Sequence, residues 1–137
     1  MKNTNTRDAI THFTEFMGRP NRSHDCLPRV TLCSNGRFRL NRTAFDELGE
    51  PAAVKLFFDG NNQVIGLKPA DIRHSNSFAV QPQDRFHGRR INASPFCHHF
   101  GIAVTGTILF TNVEFDTHTG LMRLDLRTAV KVTRGAR

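Results

Sequence analysis

The sequence predicts a mainly β fold with short helices, built from two copies of one strand, strand, helix and hairpin unit. Three observations carry this. Residues 37–40, Arg-Phe-Arg-Leu, alternate polar and apolar, the period of a sheet with one side buried. Asp59-Gly60-Asn61-Asn62 is turn chemistry between two runs rich in Val, Ile and Phe, which predicts a hairpin. The same order of apolar, cap and turn positions returns between about residues 78 and 126.

In chain order, residues 1–5 are polar, and residues 6–17 have the pattern of an amphipathic helix. Ile10, Phe13 and Met17 share one side, Phe16 lies beside them, and Gly18 is the stop. This helix is expected to pack on the body. Residues 19–28 hold two prolines among polar side chains and form a linker. Residues 29–32 open a strand, and Cys33-Ser34-Asn35-Gly36 turns into the next, where Phe38 and Leu40 face the core and Arg37 and Arg39 the other side. A short helix over 42–48 follows. Asn41 or Thr43 caps it by accepting from the free amides of its first turn, and Gly49 ends it in the left-handed conformation. Residues 54–58 and 64–67 are the hairpin strands.

The second copy aligns on the first. Residues 90–96, Arg-Ile-Asn-Ala-Ser-Pro-Phe, fall on 39–45, and after a one-residue slip Phe100-Gly101 falls on Leu48-Gly49. After a longer loop, 115–124 falls on 58–67 without a gap, and upstream Phe78-Ala79-Val80 takes the place of Val30-Thr31-Leu32. Residues 70–77 are a polar connection, 81–88 a longer loop, and 127–137 a basic tail with four cations and no acid. The expected organisation is an N-terminal helix and linker over 1–28, a first repeat over 29–70, a second over 71–126, and the tail. A repeat of some fifty residues is too small to hold a core alone, so 29–126 should fold as one body.

Gly36-Arg37-Phe38-Arg39-Leu40, a short helix to Leu48-Gly49, and a hairpin ending in Gly66-Leu67-Lys68-Pro69 resemble the swapped-hairpin DNA-binding domain of the AbrB, SpoVT and MazE-type family. The resemblance covers roughly residues 29 to 126. It implies a pseudo-two-fold β-barrel in which two halves of one chain supply what single-domain members build from two chains. It also implies a cytoplasmic regulator or antitoxin that binds duplex DNA. The chain departs from the family at Asn41, where the family usually has Pro, and at 44–46, where the family often has Arg.

Composition points the same way. The formal net charge is +7, the pI is about 10.4, and Arg outnumbers Lys fifteen to four. Arg binds phosphate and guanine through a planar fork, and so basic a balance is the electrostatic footprint of a nucleic-acid binder. All twelve aromatic residues are Phe, which favours core packing over base stacking. With three cysteines, no paired C-x-x-C spacing, no apolar leader and no membrane-spanning run, a cytoplasmic chain with reduced thiols is expected.

No Gly-rich phosphate loop, nucleophile elbow or His-Glu-x-x-His is present, so no enzymatic role, cofactor or small-molecule substrate is expected. Cys97-His98-His99 has zinc-ligand chemistry, but neighbouring side chains on a helix do not face each other. Cys97 is instead expected to be buried between Phe96 and Phe100, with the imidazoles outside and no metal. The expected DNA-binding residues are Arg29, Arg37, Arg39, Arg42, Arg89 and Arg90. Arg37 is carried over from the family's Gly-Arg motif, and the others are chosen as cations on or beside the same strands. Arg39 and Arg90 fall at matching positions, which predicts an approximately palindromic target. The rival expectation is a protein partner, an acidic toxin or host protein held by the same arginines; self-association through Phe outside the barrel is a further one.

Overall fold

The computed structural model describes residues 27–83 and 87–132. The expected helix over 6–17, most of the linker, Cys26, Arg85 and residues 133–137 of the tail lie outside the described residues.

Among the described residues, eleven strands and two helices follow in order: β1 Val30–Cys33, β2 Arg37–Leu40, α1 Arg42–Glu47, β3 Ala53–Asp59, β4 Val64–Ala70, β5 Phe78–Ala79, β6 Gln81–Pro82, β7 Arg89–Asn92, α2 Ser94–Phe100, β8 Thr107–Leu109, β9 Val113–Asp116, β10 Leu121–Asp125 and β11 Val130–Lys131. They form two antiparallel sheets, one ordered β11-β8-β1-β2-β7-β6 and the other β5-β3-β4-β10-β9. The fold is mainly β. The ladders among the described residues do not close the sheets into the expected barrel.

Alternation decides which face is buried. Val30, Leu32, Phe38, Leu40 and Ile91 of the first sheet meet Val54, Ile65, Leu67, Met122 and Leu124 of the second in one apolar cluster. Ala44, Leu48, Phe96 and Cys97 join it from the helices and their ends, and Phe110 stacks on Phe38 at 6.4 Å between centroids. Both halves of the sequence contribute to this core.

Local chemistry fixes the corners. Asn41 caps α1, its Oδ1 accepting from Ala44 N at 2.9 Å. Leu48 N then donates to Ala44 O, and the chain leaves the helix through Gly49 at φ 89°. α2 has no side-chain cap; it starts with Pro95 in its first turn and ends on Gly101 at φ 67°. Asp59 Oδ1 accepts from Asn61 N at 3.1 Å in the β3–β4 turn, and Asp116 Oδ1 accepts from His118 N at 2.9 Å in the β9–β10 turn.

The register places specific residues opposite one another: Arg39 faces Arg90 in the β2–β7 ladder, and Gly66 faces Arg123 in the β4–β10 ladder. Four expectations change. Gln81, not Ala79, lies opposite Arg90, as Thr31 lies opposite Arg39, so the counterpart of β1 is β6. Phe78–Ala79 pairs instead with β3, and Val80 N between them donates to Ala52 O. The expected loop over 81–88 therefore begins as a strand. The longer loop after α2 contains β8, which docks on β1 and is anchored by Ser34 N donating to Gly106 O at 2.7 Å. The basic tail supplies β11, which pairs with β8.

Candidate nucleic-acid interface

Directly opposed residues of antiparallel strands share a face. The outer face of the six-stranded sheet can therefore be read across the ladders. One row runs Val130, Leu109, Thr31, Arg39, Arg90, Gln81. Beside it, Thr107 faces Cys33, and Arg37 faces Asn92. The six strands carry Arg37, Arg39, Arg89, Arg90 and Lys131 and no acidic residue. The five-stranded sheet instead mixes Lys55, Lys68 and Arg123 with Asp59, Glu114, Asp116 and Asp125. Positive charge without compensation is thus a property of one sheet only.

Each expected arginine has a definite place. Arg39 is exposed at the centre of the outer face. Arg37 is half-buried, and its Nε donates to Asn92 Oδ1 at 3.1 Å. Asn92 Nδ2 reaches Gln81 Oε1 at 3.4 Å, which extends the network to β6. Arg90 is also half-buried, and its guanidinium donates to Pro82 O at 2.8 Å.

Arg29 is exposed at the start of β1, where its N–H donates to Asn41 Oδ1 at 2.9 Å and its carbonyl accepts from Asn41 N at 3.0 Å. Asn41 Nδ2 also donates to Leu27 O at 2.9 Å. Asn41 thus holds both the helix and the incoming chain.

Arg89 and Arg42 depart from the expectation. Arg89 lies opposite Leu40, on the face of Ile91, and its guanidinium sits 4.3 Å from the centroid of the Phe45 ring. It also donates to His87 O and Gly88 O. The alternation that separates Arg37 from Phe38 separates Arg89 from Arg90, so Arg89 serves packing against α1. Arg42 Nε donates to Asp46 Oδ1 at 2.8 Å, and its guanidinium lies 3.8 Å from Glu50. Its charge is spent along the helix.

Three polar residues beside the arginines were not expected from the sequence: Asn92, bonded to Arg37, and Gln81 and Thr31, which lie opposite Arg90 and Arg39 in the ladders. Asn92 was legible, since it follows Arg90 by two in the same strand. Thr31 and Gln81 required the register.

Beside Arg39 a cleft of about 210 Å³ is lined by Arg29, Thr31, Leu40, Asn41, Gln83 and Gly88. Gln83 Oε1 is buried there with no hydrogen-bond partner among the described residues. A second cavity of about 240 Å³ brings Cys33, Cys97 and His98 to one lining. Cys97 is buried, and that burial pushes its thiol pKa up, while His98 and His99 are exposed. No group of three metal-ligating side chains occurs among the described residues. Among them, too, no helix is long and apolar enough to cross a membrane.

Comparison with known proteins finds no match: no family model, no curated protein and no solved structure matches this chain.

Proposed function

We propose that this chain is a duplicated swapped-hairpin protein of AbrB, SpoVT or MazE type. It binds duplex DNA through the outer face of the six-stranded sheet and acts as a cytoplasmic regulator or antitoxin. The observation that carries the reading is the pair Arg39 and Arg90, opposed on two adjacent inner strands of a sheet that has no acidic residue in any strand. Like charges set directly opposite destabilise a sheet, so such a pair is a cost to folding that a polyanionic ligand would relieve.

The duplication is supported by which residues oppose each other. Arg39 with Arg90, and Gly66 with Arg123, are pairs that the repeat alignment superposes. A two-fold relation between the halves puts equivalent residues face to face in this way. Left-handed residues also recur in pairs: Gly49 with Gly101, Gln63 with Gly120, and, three residues upstream of Arg39 and Arg90, Gly36 with His87. The hairpin of each half lies in the same sheet as that of the other, the arrangement that a hairpin swap produces.

Arg37, Arg39 and Arg90 contact the duplex, with Arg29 at the edge. The test is titration of the full chain with random-sequence duplex at two salt concentrations. For about four phosphate contacts, affinity should fall roughly a hundred-fold between about 50 and about 200 mM salt. Absence of binding at low salt overturns the reading and favours an acidic protein partner for the same arginines.

A further inference from the structure

The two ends of the arginine face differ, and we propose that the duplex site is asymmetric, with base-specific contacts in one half and backbone contacts in the other. This rests on the DNA-binding reading above and departs from the palindrome that the matching of Arg39 with Arg90 predicts.

Arg39 and Arg90 mark the middle of the β2–β7 ladder, so moving outward from them compares one half with the other. In one direction the next outer-face pair is Arg37 with Asn92. Arg37 Nε is committed to Asn92 Oδ1 at 3.1 Å, and Asn92 is tied to Gln81. This holds the guanidinium plane and leaves its two terminal nitrogens as a fork. A fork of this kind matches O6 and N7 of guanine in the major groove.

In the other direction the next positions along the two strands are Asn41 and Gly88. The Asn41 side chain is occupied by Ala44 N, Arg29 N and Leu27 O, and Gly88 has no side chain. Where the first half carries an oriented arginine, the second carries the cleft beside Arg39, with Arg29 in its lining. Among the described residues no counterpart of the Arg37 fork stands there, so these residues can hold the phosphate backbone without reading bases.

Selection of the full-length chain on a random duplex library tests this. The expected consensus has one informative half containing a guanine and one half with little preference. Arg37→Lys keeps the charge but loses the fork; it should lower discrimination at that guanine roughly ten-fold or more and leave the salt dependence unchanged. Asn92→Ala, which releases the guanidinium plane, should act in the same direction. A consensus with two equally informative halves, or variants that weaken both halves alike, overturns the asymmetry while leaving DNA binding intact. A chain that retains no duplex at low salt removes the DNA-binding reading, and the asymmetry with it.

Discussion

Arg39 and Arg90 stand directly opposite each other in the β2–β7 ladder, and their nearest neighbours across the sheet are Thr31 and Gln81. Nothing anionic on these strands offsets the pair. Arg39→Glu would turn a repulsive cross-strand pair into an attractive one, a change of roughly 0.2–1 kcal/mol in favour of folding. The expected outcome is a higher urea midpoint together with weaker binding to duplex DNA. A lower midpoint would show that the pair is not repulsive in the folded protein.

Asn41 joins three segments through one side chain. Its Oδ1 accepts from Ala44 N and Arg29 N, and its Nδ2 donates to Leu27 O. Asn41→Ala removes the helix cap and both tethers, and should cost about 1–2 kcal/mol by urea unfolding. Hydrogen exchange at the Arg29 amide should accelerate more than at Phe38, which lies in the centre of the sheet. Asn41→Pro, although its ring suits the observed φ of −76°, also removes the N–H that donates to Arg29 O. It should therefore be no more stable than the alanine variant.

Much of this architecture was legible because it is written in local chemistry. The alternation of 37–40, the Asn41 cap, the Gly49 stop and the two Asp turns each follow from a few adjacent residues. The departures come where long-range pairing decides. Gln81-Pro82 has no strand signal of its own and becomes β6 because β7 offers an edge; two residues earlier the chain pairs with β3 in the other sheet. Thr107-Ile108-Leu109-Phe110 does carry a β-branched, apolar signal, but its position between the aligned helix and hairpin concealed it as loop. Arg89 was open to correction from the sequence, since counting back by two from Ile91 puts it on the core face.

Two glycines with similar φ should respond differently to the same substitution. Gly36 has φ +82°, and a Cβ there would lie 2.6 Å from Ser94 Cα and 2.9 Å from Ser94 N, both backbone atoms at the start of α2. Gly36 O also accepts from Ala93 N at 2.8 Å, so the two segments cannot part freely. Gly49 has φ +89° with nothing within 4 Å of its would-be Cβ. Gly49→Ala should cost about 1–2 kcal/mol, the strain of the left-handed conformation alone. Gly36→Ala should cost roughly 2–4 kcal/mol, because overpacking adds to the same strain. Urea midpoints of the two variants check the order.

The hairpin turns make folding sensitive to acid. Asp59 is held below the usual carboxylate range by the side-chain amide of Asn62, helped by the backbone N–H groups of Asn62 and Asn61. Asp116 is held below it chiefly by the backbone N–H of His118. Asp71, outside the hairpins, is pulled down to about 2 by the guanidinium and N–H of Arg73. In each case the folded state favours the ionised form. The contribution to stability is therefore fully present above the unfolded carboxylate pKa of about 4 and is lost as pH falls through the lower folded value. Glu47 has the opposite sign, since partial desolvation of this exposed side chain raises its pKa. Urea midpoints measured from pH 6 down to about 2 should fall most steeply below about pH 4. Replacing Asp59 and Asp116 together by Asn should lower the midpoint at neutral pH and flatten that acid limb, and an acid limb unchanged in the double variant would show that the two turns do not supply it.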